Sequence, residues 1–385
     1  MIAAMTCVAG PAVASGSTAA RAPRAVASTT STLLTGVSCA SATFCFAVGA
    51  TYFGPNSSHE KPVAERWNGK AWSIVPTPVA TGAKYGGLTA VSCATMTDCV
   101  AVGSPVEHWN GKTWSIVHIA KPAAPIFATL SGVTCTSTTF CIAVGLQAAK
   151  NAPSKTLIER WNGATWSVAA SPNPHNPGQV SRLDAVSCID TTHCFAVGSY
   201  DLSLSSSTLV ERWNGRTWSI VASPSSGGNF YGLAGVSCPS ATMCIAVGTD
   251  GAGPLAATLA VLWNGTTWSR TLTPGRSIAT LAGVSCASPT DCFAVGNFDT
   301  SGFGSRPHPT AEHWDGSSLS IVAAAPQRFG TGGWLTGASC SSSTDCVAVG
   351  QSVTFSPSGG YGSERPMAEQ WNGTTWSTIA APIPG

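Results

Sequence analysis

The chain has 385 residues, only 9% of them charged, and a formal net charge of +2. Its 19 Lys and Arg are scattered without a run of three, so the concentrated basic face that nucleic-acid binding requires is missing and that class of partner is excluded. Intrinsic disorder is excluded as well, because 44% hydrophobic residues and fourteen Trp supply ample apolar area for a core.

The first stretch, MIAAMTCVAGPAVASGSTAA, reads as the apolar core of a secretory signal followed by a small-residue cleavage site, Ala12-Val13-Ala14 before Ser15, although no Lys or Arg precedes it. Residues 1–14 are therefore expected to be a signal peptide, with a lipid anchor at Cys7 as the alternative. Residues 15–32 form a Ser/Thr/Ala linker without periodicity. No other stretch approaches the length needed for a membrane span.

From residue 33 onward the chain is one repeat. Seven times a cysteine is followed six residues later by another and then by Ala-Val-Gly, at 39/45, 93/99, 135/141, 188/194, 238/244, 286/292 and 340/346, with a period of 42 to 54 residues. Seven times, later in each copy, Trp-Asn-Gly or Trp-Asp-Gly is followed five residues after the first Trp by a second Trp, or by Leu319 in the sixth copy. A period of that length carrying several short strands indicates a propeller blade. The expectation is one domain over residues 33–385, an all-β seven-bladed propeller of four-stranded antiparallel blades that start near 33, 88, 130, 183, 233, 281 and 335.

In the first copy, LLTGVSC and CFAVG read as two strands separated by the five-residue loop Ala40 to Phe44. The run Phe46-Ala47-Val48 lacks alternation, as in a strand covered on both faces. PVAERW and AWSIV follow as third and fourth strands around Asn68-Gly69, and a two-residue type I′ turn there pairs Glu65 with Trp72. Glu65, Trp67 and Trp72 then share one face, with the indoles diagonal and the carboxylate near an indole N–H. Closure of the ring is expected from packing of the seventh blade on the first.

The fixed cysteine spacing, without Cys-x-x-C or Cys/His clusters, points to an oxidising compartment and to hairpin disulfides Cys39–Cys45, Cys93–Cys99, Cys135–Cys141, Cys188–Cys194, Cys238–Cys244, Cys286–Cys292 and Cys340–Cys346. The protein is accordingly expected to be secreted or on the cell surface.

The segment between the Ala-Val-Gly glycine and the third strand varies from three residues after Gly103 to eighteen after Gly350. That connection and the crossover to the next blade share one rim, so the ring has a uniform rim and a variable rim, and variable loops on a rigid scaffold are where binding usually resides.

The order L-x-x-V-S-x, A-V-G, then a glycine turn and Trp resembles secreted bacterial propellers with sialidase-like repeats, including the photosystem II stability and assembly factor group. It resembles kelch or galactose-oxidase blades equally. The resemblance spans residues 33–382 and implies architecture, not activity. The Asp of the sialidase Asp-box is Trp in E-R-W-N-G-x-x-W, and neither an arginine triad nor copper ligands map onto this chain.

Glutamate recurs two residues before the first Trp, at 65, 107, 159, 211, 312 and 369. A residue found in almost every blade serves the blade, whereas catalysis needs one differentiated pair. The residues that break the repeat are Tyr52, Tyr85, Tyr200, Tyr231, Trp334 and Tyr361, all on the variable rim, and they are the candidate ligand-binding set. Asp201, Asp250 and Asp299 follow the Ala-Val-Gly of adjacent blades and are the nominees for a cation site; with His308 they are also the nominees for the active site of a hydrolase or lyase, while nothing in the sequence sets His59, His175 and His308 together. No catalytic residue, metal or cofactor is assigned. The expected function is that of a monomeric, non-catalytic binding propeller for an extracellular glycan or a protein partner. The alternatives are a secreted polysaccharide hydrolase or lyase and a structural scaffold.

Overall fold

The computed structural model describes residues 30–53, 59–80, 86–119, 127–174, 179–202, 205–224, 231–251, 256–275, 278–299, 306–327, 331–355 and 361–383. The first blade consists of β1 (Ser31–Ser41), β2 (Phe44–Phe53), β3 (His59–Trp67) and β4 (Trp72–Val75), hydrogen-bonded in that order and antiparallel. Six more four-stranded sheets of the same order occupy 88–116, 127–169, 181–220, 231–271, 279–322 and 331–379. The protein is thus an all-β propeller of seven blades, each carrying one hairpin disulfide between cysteines six residues apart.

The middle residues of all seven first strands line one axial channel, so the first strand of each blade is innermost and the fourth lies at the circumference. The second strand is covered on both faces, which explains its unbroken apolar run: Phe44 through Ala50 are all buried. Its glycine has a steric cause. A Cβ on Gly49 would lie 1.9 Å from the Leu33 carbonyl oxygen, and the corresponding distances at Gly198 and Gly350 are 2.1 and 2.0 Å. The inner strand bulges at this level, between Leu34 and Gly36, and presses its backbone onto the second strand.

The hairpins differ from expectation in register. The inner hairpin turns through Ala42 and Thr43 alone, because Ser41 pairs with Phe44 beyond the Cys39–Cys45 pair and the extra residue is absorbed as a bulge. The Trp hairpin is longer than a two-residue turn: Trp67 pairs directly with Trp72, and Glu65 pairs with Ile74. Its four-residue loop is held by the Asn68 side chain, whose Oδ1 accepts the backbone N–H groups of Lys70 and Ala71, both at 2.9 Å. Gly69 sits at φ 89°. An Asn side chain that mimics a backbone carbonyl favours this wider loop over the type I′ turn.

The indole N–H of Trp67 donates to the Ala42 carbonyl of its own inner hairpin at 3.1 Å, and the first Trp of every other blade does the same. The expected carboxylate partner is not used. Each pair of indoles instead faces the preceding blade. Phe46 of blade 1 lies 5.0 and 4.9 Å from Trp109 and Trp114 of blade 2, and Phe195 and Phe293 repeat the contact at two further junctions.

Val-Ser-Cys also has an inter-blade role. The Ser38 hydroxyl accepts the Cys93 backbone N–H at 3.0 Å, and the same bond joins Ser92 to Cys135, Ser187 to Cys238, Ser237 to Cys286 and Ser285 to Cys340. Ser339 makes it to Cys39, so the ring closes with the contacts used between successive blades. Val347 and Val349 of blade 7 pack with Trp67 and Trp72 of blade 1.

Candidate functional site

The inner strands fix what the axis can hold. Gly36, Gly132, Gly235, Gly283 and Gly337 bring neighbouring first strands so close that an added Cβ would lie 2.9 to 3.3 Å from the next backbone. The resulting channel measures about 170 Å³, below the size of ordinary small-molecule sites. Asp184 is the sole charged side chain among the described residues lining it, at a position occupied elsewhere by Thr, Ser or Ala. It pairs with Arg182 at 3.1 Å. Burial raises its pKa, and the guanidinium partly opposes that rise. A ligand of any size must therefore sit on a rim or between blades.

The variable rim is built from strand ends more than from loops. Tyr52 lies in β2, cross-paired with Ser31 and with Glu60. Tyr200 lies in the second strand of blade 4 (Cys194–Leu202), opposite Ser181 and Ser207. Trp334 lies in the first strand of blade 7 (Thr331–Ser342), opposite Gln351. The antiparallel ladders run past the Ala-Val-Gly core into segments whose composition suggested loops, because cross-strand bonding continues there without apolar alternation. All three rings are half-buried. Tyr231 and Tyr361 open their strands opposite Asp250 and Phe355, with side chains outside the described residues, and Tyr85 lies outside them entirely.

Two of these residues converge on the seam between blades 7 and 1. The Ser31 hydroxyl donates to Glu364 Oε2 at 2.6 Å, and Gln351 donates to both at 3.1 and 3.0 Å. Tyr52 hydrogen-bonds Glu60, and its pKa is raised first by burial and then by the charges of Glu60 and Glu364. The tyrosine consequently stays protonated, a hydrogen-bond donor and not a base. Trp334 adjoins through its pairing with Gln351, whereas Tyr200 is set on blade 4. Sequence reasoning missed Glu60, Gln351 and Glu364. The available signal was their absence from the other repeats.

The acidic nominees stay separate. Asp250 pairs with Arg270, buried Asp299 accepts the Arg306 backbone N–H at 3.2 Å, and Asp201 is exposed. No group of three His, Cys, Asp or Glu side chains able to hold a metal is found among the described residues. His59 stacks on Phe53 and His308 packs on Phe298, while His175 lies outside the described residues.

The recurrent glutamates are buried between blades. Glu211 accepts the Ser171 hydroxyl at 3.0 Å, and Glu369 accepts the Ala325 N–H at 3.0 Å, in each case from the segment that follows the fourth strand of the preceding blade. Glu65 and Glu107 have no hydrogen-bond partner among the described residues. Burial pushes the pKa of Glu65, Glu107 and Glu211 up to about 8 and that of Glu369 up to about 7.

No family model matches this sequence, and no curated protein does either. Solved propellers do. A structure described as YCF48 bound to D1 peptide superposes with a TM-score of 0.53 at 13% identity, covering 84% of this chain and 91% of that one. YCF48 from Cyanidioschyzon merolae gives 0.50 at 12%, covering 83% and 94%. A polysaccharide lyase of family PL25, an ulvan lyase with bound saccharide, gives 0.56 at 9%, covering 91% and 97%. The likeness is one of fold. It supports the propeller and does not attach the repeat to the sialidase or kelch type. Seven disulfides are typical of extracytoplasmic proteins, and no helix among the described residues is long and apolar enough to cross a membrane.

Proposed function

We propose that this protein is a secreted, monomeric, non-catalytic recognition module that binds an extracellular or cell-envelope glycan on its variable rim. One observation carries the reading: Tyr52, Tyr200 and Trp334, which interrupt an otherwise uniform repeat, stand half-buried at the variable strand ends of rigid, disulfide-stapled blades. Aromatic rings held in this way stack on the apolar faces of sugars, while the Ser-, Asn- and Gly-rich surroundings reach hydroxyls. Tyr85, Tyr231 and Tyr361 belong to the same set by sequence.

A protein partner is the second reading, since aromatic anchors on a rim serve peptides equally and one propeller of similar fold is described as bound to a peptide. Glycan arrays and whole-cell pull-downs with the mature protein, beside a Tyr85→Ala/Tyr200→Ala/Trp334→Ala variant, decide between them. Glycan binding by the wild type that the folded variant loses supports the reading. Capture of a protein with no glycan retained moves it to the second. Appearance of an unsaturated uronate during incubation with polysaccharide replaces both with a lyase.

A further inference from the structure

Apart from the candidate rim aromatics, a groove of about 470 Å³ runs between blades 3 and 4, within the size range of small-ligand sites. Its walls include Arg160, Ser167 and Ser171 from blade 3 and Trp213, Arg216 and Trp218 from blade 4. Two sequence positions put both arginines in the wall of this groove. Arg160 precedes the first Trp of blade 3, and Arg216 lies in the Trp-hairpin turn of blade 4. At the corresponding positions of the other six junctions the pairs are Arg66 and Lys112, His108 and Ala164, Arg212 and Thr266, Leu262 and Ser317, His313 and Thr374, and Gln370 and Lys70. Only the blade 3/4 junction presents two guanidiniums.

The charge there is uncompensated. Where the residue before the second cysteine is Asp, it engages the opposing side chain: Asp98 with His108 at 3.4 Å, Asp291 with His313 at 2.7 Å and Asp345 with Gln370 at 2.9 Å. Blade 3 carries Phe140 instead, and its ring holds the Arg160 guanidinium at 5.2 Å by a cation–π contact. Neither Arg160 nor Arg216 has a carboxylate partner among the described residues. The carboxyl bound to Ser171 is that of buried Glu211, whose pKa burial pushes up to about 8. Both arginines are exposed, and Ser167 and Thr217 add hydroxyls beside them.

We propose that this groove binds the oxyanion of an acidic saccharide, a sugar ring carrying a carboxylate or a sulfate ester, through the guanidiniums of Arg160 and Arg216. Planar guanidiniums match either oxyanion in bidentate fashion. The flanking hydroxyls and the edges of Trp213 and Trp218 suit a hydroxylated ring better than a peptide backbone. The groove contains none of the candidate rim residues Tyr52, Tyr85, Tyr200, Tyr231, Trp334 and Tyr361, so loss of one site leaves the other testable.

Isothermal titration and Trp fluorescence of the disulfide-intact protein with tetragalacturonate, a sulfated oligosaccharide, cellotetraose and hexaglutamate test the assignment. Either acidic saccharide should bind with an affinity that falls with added salt and drops about tenfold for Arg160→Gln and again for Arg216→Gln, whereas the turn control Lys112→Gln leaves it unchanged. The relative response to tetragalacturonate and to the sulfated oligosaccharide identifies which oxyanion is preferred. Arg216→Gln alters only an exposed turn, so it keeps the test valid if the other variant misfolds. Absence of binding by both acidic saccharides at millimolar concentration overturns the proposal, as does undiminished binding by the variants or equal affinity for hexaglutamate.

Discussion

The Ser339 hydroxyl accepts the Cys39 backbone N–H at 3.0 Å, joining the last blade to the first across 300 residues of sequence. The same bond joins Ser285 to Cys340 within the continuous chain at 2.9 Å. If the seam is equivalent to the other junctions, Ser339→Ala and Ser285→Ala each destabilise the protein by about 1 kcal/mol, the net worth of a typical intramolecular hydrogen bond. Parallel denaturant titrations of the two variants check this. A much larger loss for Ser339→Ala shows the seam to be the weak point of the ring.

The buried glutamates make stability fall with rising pH. Their folded-state pKa values, about 8 for Glu65 and Glu107, stand above the ordinary 4.5, so folding is unpenalised below the unfolded value and loses stability as pH climbs between the two. The slope is at most about 1.4 kcal/mol per pH unit for each group. Glu65→Gln and Glu107→Gln place a permanently neutral side chain at these sites and should make the melting temperature fall less steeply between about pH 5 and about pH 8, the remaining slope coming from Glu211 and Glu369. Wild type and double variant with parallel pH profiles would show that these carboxyls titrate normally.

The two tryptophans of a hairpin are unequal. Trp67 donates its indole N–H to Ala42, whereas the buried Nε1 of Trp72 has no hydrogen-bond partner among the described residues. Trp67→Phe should therefore cost about 1 kcal/mol more than Trp72→Phe, since both lose similar ring area and only the first leaves a carbonyl unmet. Thermal or urea denaturation of the two variants measures the difference.

Each disulfide closes a short loop, for which the chain-entropy treatment gives about 2 kcal/mol. Replacing Cys188 and Cys194 together by Ser should lower stability by about that amount with the far-ultraviolet spectrum unchanged. Gly198→Ala should cost more, about 3 kcal/mol, because its Cβ would lie 2.1 Å from the Arg182 carbonyl oxygen. A neutral Gly198→Ala would mean that the inner strand can retreat.

What the sequence determined by itself was whatever repeats at fixed short separation. Seven cysteine pairs six residues apart, seven Trp hairpins and seven Ala-Val-Gly runs specify the number of blades, their strand order and the disulfide partners. A hairpin brings its own members together whatever surrounds it. Register already needed more: the Asn68 side chain widened the turn and set Trp67 opposite Trp72, a choice between two local geometries that spacing leaves open. Contacts between blades were decided only by the tertiary structure. The pairing of Ser38 with Cys93, the network of Ser31 with Gln351 and Glu364, and the placing of Arg160 and Arg216 on one groove join residues about 50 to more than 300 positions apart. Their distances depend on how twisted sheets pack face to face around an axis that no stretch of the chain encodes alone.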